Sequence, residues 1–591
     1  MIATWRSILA LVVFFLTNLV GVFPFSIPLP LSTPAADAVA AKLAVFLRIC
    51  LPSESCCKEH PGLFRRTSHE ADPRPPVYWR KITIGFQTAP LAAVLLLLAT
   101  GVLHGKEIRE GITGTSGIEP LDIMALFISL AYLAISLDTT GLFRFLAFWV
   151  VRKGGSSGRR LYLYLYAFFF AAGILVGNDP VVLFGTPFLA YFSRASGIVP
   201  PTAWVFAQFV VANTAAAVLP SANLTNLVLT GAFSFSFISY AAHAILPTLA
   251  AGIAVYPLLA FVLFKSPEFV PRQIDVVDIQ HPQSETRTLS SSQAPDALTD
   301  KKGAIFGSVL LSITLIVLVG TSPLKVPVWM VTVPPALIML LRDVWHDRSL
   351  WTSQSSNPVP DAEQADGIAM QETGARKCCD ADVAGCFPDV SLGLEEKSPR
   401  TLGSLYHKIS KRTLPTLFNI LPRLPISLVL FAFCMFILVQ ALTTWGWVEV
   451  FAGWWTAWIR VCEQVGNGFA TVGAIYMMLI ASTLLCNICG TNIGTTILLA
   501  RVLQSWLSST PSVDPKVKLG SIYALALGSN FGAYTFSFSA SLAGLLWRDI
   551  LRQKGIAVSQ RHFAMYNVPT IAVSVVTAGA VLIAEVYIVA K

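Results

Sequence analysis

Charge is what this chain has least of. Only 13% of its 591 residues are Asp, Glu, Lys or Arg, about half the roughly 25% of an average soluble domain. So few charges over such a length exclude a string of ordinary water-facing domains. Catalytic signatures are missing too. There is no Gly-x4-Gly-Lys phosphate loop and no His-Glu-x-x-His helix, so neither ATP-driven pumping by this chain alone nor zinc-protease chemistry is expected. The ten cysteines show no zinc-ligand spacing. The adjacent pairs Cys56-Cys57 and Cys378-Cys379 lie in polar stretches and read as loop thiols. We expect no enzyme and no metal centre, and no cofactor beyond a coupling proton or sodium ion.

Apolar residues make up the difference. They are 54% of the chain, and the mean hydropathy is +0.65. About ten stretches approach the roughly 20 apolar residues a membrane helix needs. The net charge of +9 sits in segments flanking those stretches, which is the orientation signal of membrane proteins and not a nucleic-acid surface. The expected class is therefore an all-α polytopic membrane protein embedded in the lipid bilayer, with no nucleic-acid partner.

The order of segments is informative. Residues 4–23 form an apolar run, too long for a signal-peptide core and read as a retained helix. A polar stretch, 32–80, comes next. Residues 82–103 and 120–137 read as spans, and 141–151 as a half-length helix. Residues 161–176 and 181–192 are short apolar halves around Gly177-Asn178-Asp179-Pro180, neither long enough to cross a bilayer, and read as a re-entrant hairpin. Then come 203–230, interrupted at 220–226, and a clean span at 237–264. Residues 265–302 and 343–416 are polar loops flanking a helical pair, 303–320 and 327–341. The second half repeats the plan: spans at 425–441 and 563–590, a short helix at 448–458, a hairpin with its tip at 487–494, and a helix at 521–546 broken at 528–532. The organisation is 1–80, 81–264, 265–302, 303–342, 343–422 and 423–591.

Three landmarks recur at nearly one offset. Gly141 and Gly446 are 305 residues apart, Asn178 and Asn487 are 309 apart, and Asn223 and Asn530 are 307 apart. Basic residues give the orientation. Arg152, Lys153, Arg159, Arg160 and Arg194 flank the first hairpin. Arg548, Arg552, Lys554 and Arg561 come after the second broken helix, whereas the first broken helix ends in uncharged 231–234. Equivalent helices then point opposite ways, an inverted-topology repeat with two re-entrant hairpins and two broken helices. Both long loops fall on the cytoplasmic side.

Broken backbone at membrane depth survives only where it lines a cavity or binds something. The four breaks bring Asn178, Asp179, Ser221, Asn223, Thr225, Asn226, Asn487, Thr491, Asn492, Ser529 and Asn530 toward one midplane site of neutral donors and acceptors. Asp179 is the sole acid in the four. It is a candidate to carry a proton, to pair with a cation, or to cap the returning half-helix. Asp138 is a second candidate, read as the N-cap of a short helix. His243 and Glu585 lie within spans and are expected to have a packed or interfacial role. Cys486 and Cys489 flank the second tip as small packing residues. The Asn223-Leu224-Thr225 sequon lies in an apolar stretch, so no glycan is expected.

These motifs resemble the ion transporter superfamily. Gly177-Asn178-Asp179-Pro180, Ser221-Ala222-Asn223-Leu224-Thr225-Asn226, Asn487–Gly494 and Gly528-Ser529-Asn530 are most similar to its arsenite-permease and citrate-transporter-like branch. The resemblance covers nearly all of the chain outside the two loops. It implies a scaffold and a mobile transport domain in a homodimer with an elevator-type shift. It also implies a substrate and ion site lined by Asn178, Asp179, Ser221, Asn223, Thr225, Asn492, Ser529 and Asn530. The dicarboxylate branch carries Ser-Asn-Thr at both tips, and this chain does not. Arsenite permeases often carry adjacent asparagines at the second tip, split here as Asn487 and Asn492. The expected function is secondary transport of a small anion or oxyacid such as arsenite, proton-coupled through Asp179. The alternative is a sodium/dicarboxylate carrier or a sodium/proton antiporter. The plasma membrane is expected over an organelle.

Overall fold

The computed structural model describes residues 2, 4–31, 78–86, 88–115, 117–274, 298–321, 326–356, 414–466, 468–510 and 512–589. The cysteine pairs at 56–57 and 378–379 and most of the three polar stretches lie outside them. Two compact units emerge, Met1–Met339 with Arg423–Lys591, and Leu340–Pro422. In the second, Asp347 accepts backbone N–H bonds from Thr416 and Leu417 at the start of the short helix Pro415–Ile420. Both repeats belong to the first.

Among the described residues, nine helices are long and apolar enough to cross a membrane. The chain is a multi-pass integral membrane protein. It opens with α1 (Trp5–Val22) and a small antiparallel sheet, β1 (Phe25–Leu31) paired with β2 (Tyr78–Ile84). This sheet and the short helix after it correct the span expected over 82–103. The run Ile82-Thr83-Ile84 goes to an extended strand, as β-branched residues favour. The apolar remainder forms only an 11-residue helix, α2 (Ala89–Ala99). The amphipathic α3 (Gly105–Thr113) comes next, opened by His104, whose N–H bonds Glu107 in a capping box.

The first repeat contains α4 (Pro120–Thr139), α5 (Leu142–Gly154), α6 (Gly158–Val176), α7 (Asn178–Ala195), α8 (Thr202–Ala215), α9 (Leu224–Ala232) and α10 (Phe237–Pro257, prolonged by a π-helical stretch, Leu258–Leu263). Then come α11 (Lys301–Thr321) and α12 (Val328–Ser356). With α13 taken as Pro415–Ile420, the second repeat is α14 (Ile426–Thr444), α15 (Trp447–Val465), α16 (Phe469–Ile488), α17 (Asn492–Ser509), α18 (Pro515–Gly532), α19 (Leu542–Gln553) and α20 (Gln560–Val589). The seven helices correspond one to one. Gly141 and Gly446, which open α5 and α15, share a left-handed backbone, φ 85° and 83°.

The hairpins are longer than the sequence suggested. Their first arms, α6 and α16, have 19 and 20 residues and could cross by length, yet both chains turn back. Tyr162 early in α6 and Phe192 late in α7 both meet Trp204, at 5.3 and 5.5 Å between ring centroids. In the second hairpin, Trp458 on α15 donates to the Gly473 carbonyl early in α16, and Trp455 of that helix meets Trp506 late in α17. Each hairpin thus has both ends on one side.

The two bases face opposite ways. Arg194, at the base of the first hairpin, donates to the Lys554 carbonyl just past α19. Gln504, near the base of the second, donates to the Ala232 carbonyl that ends α9, at 2.7 Å. Each half-helix therefore reaches the hairpin base of the other repeat. Small residues allow the close packing. Gly173 of α6 lies on Ala212 and Ala215 of α8, and Gly528 of α18 on Leu479 and Ser482 of α16.

Candidate functional site

Four helices begin at the centre of this arrangement: α7 and α17 at the hairpin tips, α9 and α19 at the breaks. Each brings the positive end of its dipole there. The sequence dictates the starts. Asn223, extended at φ −150°, caps α9 by accepting the Thr225 N–H. Thr491 caps α17 through the Gly494 N–H, and Ser541 caps α19 through the Gly544 N–H, at 3.1 and 3.0 Å. At the tips the backbone must turn left-handed. Gly177 has φ 93° and Gly490 φ 74°. A Cβ on Gly177 would lie 2.5 Å from the Ala222 carbonyl oxygen, and one on Gly490 would lie 2.6 Å from Asn18 Oδ1. The first tip thus abuts the first break, and the second abuts α1.

The second break is not where the sequence placed it. Gly528–Gly532 is helical, the last turn of α18. The chain leaves the helix after it, and a 3₁₀ turn, Phe538–Ala540, leads to Ser541. The first break has the same form, a 3₁₀ turn Pro220–Ala222 leading to Asn223. Ser221-Ala222-Asn223-Leu224 therefore corresponds to Ser539-Ala540-Ser541-Leu542. Asn530 corresponds to Asn213, near the end of α8, and not to Asn223. Likewise Asn178 corresponds to Asn492, as each is the first residue of a returning arm. Asn487 stays in the last turn of α16. Gly528 and Gly532 mimic a break in sequence but serve packing, Gly532 lying on the Cys486 side chain.

Asparagine amides join the two repeats. Asn530 Oδ1 accepts from Asn223 Nδ2, and Asn530 Nδ2 donates to Asn226 Oδ1, both at 2.8 Å. Asn226 Nδ2 bonds the Ala216 and Leu219 carbonyls in the segment between α8 and α9. Thr225 is buried beside it and bonds Asn226 Oδ1 at 3.4 Å. On the first-hairpin side, Asn178 Nδ2 donates to Asn213 Oδ1 at 3.1 Å. Asn487 spans from the second hairpin to the second break, donating to Thr535 Oγ1 and accepting from the backbone and hydroxyl of Ser537. Ser529 satisfies itself on the Ala526 carbonyl, and Asn492 is buried at the start of α17. Ser221 Oγ is buried without a hydrogen-bond partner.

Asp179 is half-buried in the first turn of α7. The helix dipole favours a carboxylate there, but the N-cap position belongs to Gly177, with Asp179 the second residue of the helix, which removes the N-cap reading. Asp138 is corrected also. It lies in the last turn of α4, not at the start of a helix, and pairs with Arg423 at 3.0 Å. Cys486 is buried and bonds the Ser482 carbonyl through Sγ. His243 and Glu585 do more than pack, since they bond each other at 2.7 Å. Sequence reasoning missed Asn213, Thr535, Ser537, Ser539 and Ser541. Asn213 and Thr214 are the two polar residues in the otherwise apolar run 209–218, which is itself a signal. The serines alternate through 535–541 and could be found by aligning Ser-Ala-Asn-Leu with Ser-Ala-Ser-Leu.

Residues 77–351 match the model of the citrate transporter family, CitMHS. The chain is 26% identical over 269 residues to the arsenical pump membrane protein of Escherichia coli (strain K12) and 28% identical over 253 residues to that of Yersinia enterocolitica. These alignments cover 45% and 42% of this chain and 58% and 53% of those proteins. The chain thus spans little more than half the length of the curated relatives it matches. The crystal structure of the Alcanivorax borkumensis YdaH transporter aligns over 98% of this chain and 97% of that one, at 12% identity and a TM-score of 0.45. The family that this chain resembles is the ion transporter superfamily, in its arsenite-permease and citrate-transporter-like branch.

Proposed function

We propose that the protein is a secondary active transporter of a small anion or oxyacid of the arsenite type, not an enzyme, and that Asp179 carries the coupling proton. The observation that carries this reading is the chemistry of the site. Side-chain amides, hydroxyls and four helix N-termini converge, while residues 177–180, 216–226, 487–494 and 528–541 contain no Lys or Arg. Such a site suits a solute rich in hydroxyl or oxygen atoms with little or no charge, as arsenous acid is at neutral pH. Helix N-termini add a preference for developing negative charge. The similarity to arsenical pump membrane proteins points the same way. The resemblance supports a homodimer moving by an elevator-type shift, in the plasma membrane.

Arsenite accumulation in sensitive cells tests this. Cells expressing the wild type should accumulate less arsenite than cells expressing Asp179→Asn, and the difference should vanish when the proton gradient is collapsed. Accumulation unchanged from that of cells expressing neither protein, with both proteins present in the membrane, would sink the arsenite reading. The citrate transporter match over residues 77–351 favours a second reading, a carboxylate carrier of the citrate type, for which the sodium-coupled form is the one to test. Sodium-dependent uptake of labelled citrate by the same cells would select the carrier.

A further inference from the structure

Away from the asparagine cluster, the last helices of the two repeats are joined by an acid and a base. His243 on α10 and Glu585 on α20 meet at 2.7 Å, Nδ1 to Oε1, with side chains 20% and 8% exposed. Oε2 of Glu585 is buried and has no hydrogen-bond partner. The His243 ring lies 4.9 Å from that of Tyr523 on α18, and Tyr523 OH donates to the Ser239 carbonyl of α10. Three helices therefore converge on the pair, and α18 is the helix that carries Asn530.

Among the described residues, the helices packed around the pair carry both neutral and charged groups. Tyr240 of α10 and Tyr523 of α18 are its neutral neighbours. Lys516 and Lys518 open α18, with Lys516 over the Tyr587 ring of α20. On α16 the titratable groups are Tyr476, which bonds the Val576 carbonyl, and Cys486. Helix α8 has none. On α11 they are Lys301 and Lys302 in its first turn. On α6 they are Arg159, Arg160 and the tyrosines 162, 164 and 166. No third His, Cys, Asp or Glu completes a metal site among the described residues.

A buried acid–base pair is no more stabilising than an apolar contact of the same size, and ionisable groups inside a membrane bundle are functional candidates. We propose that His243 and Glu585 form a proton-binding site distinct from Asp179, which gains or loses a proton as a unit and thereby shifts α18. Between them they can hold none, one or two protons, and the unpartnered Oε2 is where an added proton would sit. Tyr523 and Asn530 are seven residues apart, two turns along one face of α18, so a shift at the pair reaches the asparagine cluster. The pair lies near the end of α20 remote from Arg561, the outer end by the distribution of basic residues. The coupling step rests on the transport reading; the proton site does not.

Two measurements on the purified full chain separate these parts. The first is the thermal unfolding midpoint between about pH 5 and about pH 8, where a histidine ordinarily titrates. The wild type should show a pH-dependent shift that His243→Gln and Glu585→Gln both lose. The reciprocal exchange, His243→Glu with Glu585→His, should restore it even where the single variants are unstable. Wild-type pH dependence in both single variants would overturn the site. The second is arsenite transport in proteoliposomes, as the ratio of rates at about pH 5.5 and about pH 7.5. That ratio should fall at least about fivefold in either single variant, equivalent to roughly 1 kcal/mol. An unchanged ratio with a lost unfolding shift would make the pair structural and overturn the coupling. Absence of arsenite transport by every form would count against the transport reading alone, leaving the unfolding result to decide the proton site.

Discussion

Asn530 joins the two repeats at the centre of the site through two side-chain hydrogen bonds. Its oxygen accepts from Asn223 and its nitrogen donates to Asn226 and to the Ala526 carbonyl. Replacing it by Ala strands the Asn223 amide in a buried, water-poor place, at a cost of about 1–3 kcal/mol. Asn530→Ala should therefore lower the unfolding midpoint in detergent and also abolish transport. Asn530→Asp retains the acceptor for Asn223 but sets a second oxygen against Asn226 Oδ1 and the Ala526 carbonyl, so it should unfold no later than Asn530→Ala and also fail to transport. Equal midpoints for Asn530→Ala and the wild type would show that the amide bridge is not structural. At this scale much was legible. Asn178, Asn223, Asn226 and Asn530 stand out because an amide in an apolar run must be paired. Asn213 is chemically the same signal, but no Gly or Pro neighbour drew attention to it. Its role became visible only where the fold placed it 3.1 Å from Asn178.

The hairpin tips depend on backbone that ordinary residues avoid. Gly177 is left-handed at φ 93°, and the space its Cβ would need is taken by the Ala222 carbonyl, 2.5 Å away. Gly177→Ala should push the tip from the break and cost about 1–3 kcal/mol of local strain, read as a lower unfolding midpoint and lost transport. Gly155, also left-handed but with nothing within 4 Å of its Cβ position, is the control. Gly155→Ala should leave transport near wild type, and similar losses in both would mean that left-handed strain alone is responsible. The same distinction explains the element that sequence misplaced. Gly528-Ser529-Asn530-Phe531-Gly532 has the composition of a break, but in a membrane helix small residues also admit a neighbour's backbone. Packing against Leu479 and Cys486 kept that segment helical and moved the break to the serine-rich turn beyond it. The span expected over 82–103 failed for a different reason, because apolar content alone does not distinguish a β-branched strand from a helix.

Helices α4–α10 and α14–α20 form an inverted repeat, and its orientation can be tested without knowing the substrate. The Arg194–Lys554 contact puts the base of the first hairpin and the end of α19 on one side, with Arg548, Arg552 and Arg561 nearby in sequence. The Gln504–Ala232 contact puts the base of the second hairpin with the end of α9. Charge patterning in the sequence carried this inversion, because bases cluster at the first pair of ends and not at the second. What it could not carry was the exchange of half-helices between repeats, which depends on contacts between residues some 270 to 360 positions apart. By the positive-inside rule the basic side is cytoplasmic. Single cysteines at Ala195 and Gln553, in a background with the native cysteines replaced, should resist a membrane-impermeant maleimide in intact cells and react once the membrane is opened. Cysteines at Ser234 and Ser508 should react from outside. All four residues are exposed, so failure to label reports sidedness and not burial. If the cysteines at 195 and 553 label on opposite sides, the two hairpins do not enter from opposite faces, and the shared midplane site falls with the inversion. If instead the pairs 195/553 and 234/508 each label together but with the sides exchanged, the architecture stands and only the reading of the charges is reversed.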